Sequence, residues 1–258
     1  MSFLLNDIFK LPEAALAGNK RVPKTMLVSQ AMLTRHEQKT LDKVRRLEHF
    51  ATVQKSTTRI LPRVDDDYDI QGIIFLHCEM AGGSEAYADV GRLLHKCFPN
   101  PTVIVFDGAN HMCISASIVR KSLAEKGATV VEDIQSTGLF HASDKAYAPF
   151  LKALAFCNLE QADLLCYQRS ITWNIQLSRN ITALGFFPEC IDRNRSRLAE
   201  LIAENDRLNN EAMEVFHASR DKDISLNDKA KLRMRKKEIN TQGDKITKQI
   251  KELCCGRD

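Results

Sequence analysis

The chain changes its hydrophobic period at Pro188, and that change sets the architecture. Ahead of Pro188, apolar residues come in short continuous runs such as residues 73–76 and 102–106, with turn-forming residues between them. Beyond it they recur every seventh residue: Ile191, Leu198, Asn205 and Ala212 at one position, Leu201, Leu208 and Val215 at the other. A second series, Leu232, Ile239, Ile246 and Leu253, keeps the same spacing. Short β-rich runs are strand signals, and a seven-residue repeat is a helix-pairing signal. At 258 residues, 44% hydrophobic and 27% charged, the chain has apolar content for one core plus an appendage and is neither fibrous nor disordered throughout. The expected fold class is therefore α/β (α+β): a small mixed sheet with packed helices, then a C-terminal helical hairpin or coiled coil. The corresponding segments are an N-terminal arm (1–33), an α/β domain (34–188) and the hairpin (189–258).

Within the first part, Gly18-Asn19 and Pro23 interrupt the arm. Thr34-x-x-Glu37 has capping-box spacing ahead of Leu41, Val44 and Leu47, which predicts a helix over 35–49 with a basic outer face. Strands are expected at 57–60, 70–80, 102–106, 111–118 and 128–134, with a helix at 85–97 capped by Ser84. Asp65-Asp66-Asp67 and Asp107-Gly108 mark turns, the latter a hairpin. Further helices are expected at 144–158 and 159–181 before Gly185-Phe186-Phe187-Pro188 closes the domain. Ser225-x-x-Asp228 starts the last helix, and Asn205 in the apolar seam is the kind of residue that fixes register, or else lies on the surface.

Catalytic signatures are sparse. Asp69 and Glu79, ten residues apart around a strand, suggest the paired carboxylates of a metallonuclease, but Met80 and Ala81 follow where an acidic-x-lysine step is needed. The plain alternative is a solvated turn at Asp69 and a strand end at Glu79. His77-Cys78, His95-x-Cys97 and His111-x-Cys113 offer nitrogen and sulfur without knuckle spacing, so no metal or other cofactor is expected. Ala81-Gly82-Gly83-Ser84 lacks the pattern of a phosphate loop, and Ser115 and Ser117 have no base recognisable in sequence. Eight cysteines, at 78, 97, 113, 157, 166, 190, 254 and 255, form no CxxC and read as reduced thiols. No apolar run approaches the roughly 18 residues of a membrane helix and no signal peptide is evident, so a soluble cytoplasmic protein is expected.

The net charge of +4 is modest, but its distribution is uneven. Residues 20–55 and 229–251 each hold nine Lys or Arg. In the first cluster Lys20, Arg21, Lys24, Arg45 and Arg46 are candidates for nucleic-acid phosphates. The second reads equally as the solvated flank of a coiled coil. Trp173, the single tryptophan, lies in an apolar helical stretch and reads as core rather than as a base-stacking platform.

The Asn19-Lys20-Arg21-Val22-Pro23-Lys24 segment, the strand at 69–79, the Phe98-Pro99 helix end leading into Pro101-Thr102-Val103-Ile104-Val105-Phe106, and the charged hairpin together resemble a bacterial domain family of unknown function. The resemblance implies a small companion of a superfamily-two DNA helicase and a DNA methyltransferase in restriction-like, anti-phage islands. The expectation that follows is a non-catalytic accessory subunit that docks on a helicase or nuclease of such a complex and contacts DNA. Leu198, Leu201, Leu208, Val215, Ile239 and Ile246 would then be partner-binding. The alternative is a diverged Mg-dependent nuclease using Asp69 and Glu79.

Overall fold

A computed structural model describes residues 2–81, 86–108, 111–125, 127–189, 194–220 and 225–255. It is a mixed α/β structure whose six-stranded sheet follows chain order apart from one inserted hairpin. The strands are β1 (Leu16–Arg21), β2 (Val44–Gln54), β5 (Gly72–Met80), β6 (Thr102–Asp107), β7 (Met112–Lys121) and β8 (Thr129–Ser136), adjacent in that order. The insertion is the pair β3 (Arg63–Val64) and β4 (Asp69–Ile70). Every neighbouring pair is antiparallel except β5 and β6, which are joined through α5 (Tyr87–Cys97). These two strands carry the continuous apolar runs, as expected where both faces are covered.

Alternation divides the sheet into two faces. Leu76, Cys78, Ile104 and Phe106 join a core with Leu27 of α2 (Lys24–Gln30), Leu41 of α3 (Arg35–Asp42), and Val90, Leu93 and Leu94 of α5. On the other face Phe75 packs edge-on against Phe50 and against Phe9 of α1 (Ser2–Phe9), with centroids 5.9 and 5.1 Å away. The arm is thus part of the domain: it supplies α1, the edge strand β1 and α2. Later come α4 (Lys55–Thr58), α6 (Ala148–Ala153) and α7 (Leu164–Ser178), the last packing on β7 and β8.

Two local expectations are corrected. The helix predicted over 35–49 stops at Asp42, and Val44–Gln54 is a strand. Val44 and Leu47 are three apart, a helical spacing, yet both face the same core because a β-bulge lies between Val44 and Arg46 and absorbs one residue. The capping box of Thr34 and Glu37 is present as expected. The strand predicted at 57–60 is instead the single helical turn α4. Thr57 Oγ1 accepts from the Gln54 amide at 3.1 Å, and Thr58 Oγ1 donates to the Gln54 carbonyl at 3.0 Å. These side-chain bonds outweigh the β preference of the two threonines.

The chain divides into two compact units, Met1–Arg179 and Asn180–Asp258. The second begins before the Gly185–Pro188 break and holds α8 (Ile181–Leu184), α9 (Arg195–Ser219) and α10 (Leu226–Cys255). α8 ends on Gly185 in the left-handed conformation at φ 80°, a cap suited to glycine. α9 and α10 pack on one another, and α8 packs on α10. The predicted start of α10 is formed: Ser225 Oγ accepts from the Asp228 amide at 3.1 Å and donates to its carboxylate at 2.7 Å. No described helix is long and apolar enough to cross a membrane. The expected cap at Ser84 and the seam position Ile191 lie outside the described residues.

Candidate functional site

Charged side chains converge at the end of the sheet where the parallel strands β5 and β6 terminate, the edge at which open α/β sheets usually hold ligands. Arg21, Glu48 and His77 are opposite one another across β1, β2 and β5. One step further along, Arg46, Glu79 and Asp107 are opposite across β2, β5 and β6. Alternation puts both rows on the Phe75 face. Arg46 Nη2 lies 2.5 Å from Glu48 Oε1, and His77 Nδ1 lies 3.4 Å from Glu48 Oε2. The other imidazole nitrogen of His77 is 3.7 Å from Asp107 Oδ2, and Arg45 Nε is 3.8 Å from Glu79. Glu48 and His77 are buried. Each carboxylate therefore faces a cation or an imidazole, which is how buried charge is tolerated. Among the described residues no three His, Cys, Asp or Glu side chains converge in a geometry able to hold a metal ion.

The candidate pair Asp69 and Glu79 is not brought together. Asp69 precedes β5 and Glu79 lies near its far end, with about 23 Å of strand between Gly72 and Glu79 at the ordinary rise of 3.3 Å per residue. Glu79 instead neighbours Asp107 and, one row back, His77 and Glu48. Of the basic candidates, Arg21, Arg45 and Arg46 share this sheet end, and Lys20 sits opposite His49. Lys24 donates to the Asp42 carbonyl at 3.4 Å, and its charge acts on Cys78, on the other face.

A second polar group is buried behind α5. His95 Nδ1 lies 2.5 Å from Thr102 Oγ1 and Nε2 lies 2.8 Å from Ser115 Oγ. The Thr102 amide donates to Ser117 Oγ at 3.1 Å, and Gln168 Nε2 donates to the Ser117 carbonyl at 2.8 Å. The Ser115–His95–Thr102 order is that of an activated serine, but the chemistry does not follow. A base must accept the serine proton, and burial pushes the His95 pKa down to about 3 with no carboxylate acting to raise it. The group is a neutral polar bolt joining α5, β6, β7 and α7. Ser115 does reach the floor of a surface depression of about 200 Å³ shared with Tyr87, Arg92 and Ser136.

In the second unit the predicted partner-binding residues have another role. Leu198, Leu201, Leu208, Val215, Ile239 and Ile246 are all buried within the chain itself. An amphipathic pair of helices buries its stripes first, so these residues hold the unit together and are not presented to a partner. The seam residue Asn205 is buried too, and its Nδ2 donates to Asn180 Oδ1 at 2.6 Å. Among the described residues the large apolar side chains exposed on the pair are Met213, Phe216 and Met234, at 55%, 39% and 68% exposure. Sequence periodicity points to the buried stripe by construction and passes over these three, which interrupt charged faces.

Cysteine usage fits reduced thiols: among the described residues Cys78, Cys97, Cys113, Cys157, Cys166 and Cys254 are free. Burial raises the Cys78 thiol to about 12 and the Cys97 thiol to about 11. Trp173 is half-buried on α7.

No curated protein and no solved structure matches the chain. The model of a domain of unknown function, DUF4391, matches residues 9–242, spanning both units, and the chain belongs to that family.

Proposed function

We propose that this protein is a non-catalytic accessory subunit of a bacterial anti-phage defence complex, docking on a DNA helicase or nuclease subunit through the α9–α10 pair, with the basic residues of the sheet end as a DNA contact. The observation that carries this reading is the placement of Met213, Phe216 and Met234 on two helices whose own seam is already filled. Exposed large apolar side chains on a highly charged helical pair cost solubility and add nothing to its core, which is the situation of a protein-binding face. The sheet end fits a contact role rather than a reactive one, because Glu48, Glu79 and Asp107 are each engaged by Arg46, His77 or Arg45.

The reading is tested by purifying the full chain from cells expressing its neighbouring genes and identifying the bound chains by mass spectrometry. A stoichiometric ATP-dependent helicase or a nuclease supports it, whereas a chain that purifies alone under the same conditions removes it.

A Mg-dependent nuclease is a second reading, favoured by one observation: Glu79 and Asp107 are adjacent on parallel strands, with His77 and Glu48 beside them. Asp69 has no part in it. Plasmid, linear and single-stranded DNA incubated with the purified protein and Mg²⁺ or Mn²⁺ discriminate the two. Intact DNA favours the accessory subunit, and cleavage that is lost in Glu79→Gln favours the nuclease.

A further inference from the structure

We propose that the groove between the C-terminal end of α9 and the first turns of α10 is a docking site for an acidic protein segment carrying one bulky apolar side chain. This rests on the docking reading above and names the chemistry of the partner. The groove has a volume of about 290 Å³, with Val215, Phe216 and Leu232 supplying its apolar surface. That is just below the roughly 300–1,000 Å³ of small-molecule pockets, and it suits one or two side chains rather than a cofactor.

The rim is cationic. Lys229, Arg233 and Lys236 line the groove at positions i, i+4 and i+7 of one helix, a stripe about 10 Å long at 1.5 Å per residue. Two neighbours off the groove are neutralised: Lys231 lies 3.5 Å from Asp228, and Arg235 reaches Glu211 at 2.6 Å and Glu238 at 3.0 Å. Among the described residues Lys229, Arg233 and Lys236 have no ion pair. The rim of the apolar hollow thus carries three cations that no described carboxylate neutralises. An anionic partner with an apolar anchor complements both features.

A protein segment fits better than a nucleic acid. The one aromatic ring in the groove, Phe216, already carries the Arg220 guanidinium over its face at 4.5 Å, so that face is closed to a stacking base. The remaining surface is aliphatic, which suits a leucine, isoleucine or methionine side chain.

The test is a peptide-display selection against the full chain, with binding of the selected peptides measured by fluorescence anisotropy. Selected peptides should converge on several Asp or Glu around one large apolar residue. Their affinity should fall at least tenfold for Arg233→Glu with Lys236→Glu and stay within threefold for Arg233→Lys with Lys236→Arg. Circular dichroism checks that both variants remain folded. Peptides without an acidic bias, absence of enrichment, or equal binding to the charge-reversed variant each overturn the proposal. A 20-nucleotide single strand that displaces the selected peptides at lower concentration than they displace one another would assign the groove to nucleic acid instead. Helicase or nuclease that still co-purifies with the charge-reversed variant removes the groove while leaving the accessory role standing.

Discussion

Asn205 donates from Nδ2 to Asn180 Oδ1 at 2.6 Å, both residues being buried, so the one polar residue in the seam of α9 is satisfied from a residue ahead of Gly185. This bond, with α8 packing on α10, places the start of the C-terminal unit at Asn180 rather than after Pro188. A chain ending at Arg179 should unfold cooperatively, whereas one ending at Pro188 should bind a hydrophobic dye through the stranded Ile181 and Leu184. Urea unfolding and dye fluorescence of the two truncations check this. Asn205→Leu should cost roughly 1–3 kcal/mol in the full chain, because it leaves buried Asn180 Oδ1 without its donor.

His95 defines an acid-sensitive window. Its folded pKa, about 3, lies below the usual 6.5 because it is buried, so the unfolded chain binds the proton more readily. Stability should be full above pH 6.5 and decline as pH falls from 6.5 toward 3. Glu37, held at about 2 by hydrogen bonds from Lys96 and Thr34, adds a decline between pH 4.5 and 2. Urea midpoints across pH 3–8 should show the upper window shrink in His95→Gln, the remainder belonging to His49, whose pKa burial also lowers. His95→Ala, which strands Ser115 and Thr102, should cost on the order of 3 kcal/mol at pH 8.

Much of this was legible in the sequence wherever the signal is local. The capping box at Thr34 and Glu37, the buried strands through Ile73 and Val103, and the start of α10 at Ser225 all depend on residues a few positions apart. Failures came where a local spacing had two solutions. Val44 and Leu47 match a helix turn and also a bulged strand, and only the pairing with Cys78 and Met80 decides between them. Site residues were harder, because strand order determines them. Glu48, His77 and Asp107 are far apart in sequence and meet only once β2, β5 and β6 are neighbours. His95 and Ser115 likewise need the crossover through α5.

The sheet-end DNA contact makes a prediction about salt. Arg45 and Arg46 also hold Glu79 and Glu48, so reversing them mixes stability with binding. Arg21 is exposed at the edge strand and is a cleaner probe, with its exposed neighbour Lys20, on the other face, as the control. Arg21→Glu should reduce the slope of log affinity against log salt for duplex DNA by roughly 0.9, the value for one lost phosphate contact, whereas Lys20→Glu, on the opposite face of the strand, should leave it nearly unchanged. An unchanged slope for Arg21→Glu in anisotropy titrations would place the sheet end outside the DNA contact.

Thiol reactivity should follow burial. Cys157 is exposed, whereas Cys78 and Cys113 are buried with raised pKa values. Brief maleimide treatment at pH 7 should modify Cys157 and spare the other two, as read by peptide mass spectrometry. Early labelling of Cys78 would contradict the packing of β5 against α2 and α3.

The most direct test of the central claim compares co-purification of neighbouring gene products with the native chain and with Met213→Asp, Phe216→Asp and Met234→Asp combined. Met213 and Met234 are largely exposed and Phe216 is partly covered, so circular dichroism and thermal unfolding establish first that the triple variant is folded. The account predicts that a DNA helicase or nuclease subunit accompanies the native chain in stoichiometric amount and is lost from the triple variant. The same subunit retained at equal stoichiometry by a folded triple variant would contradict docking through α9 and α10.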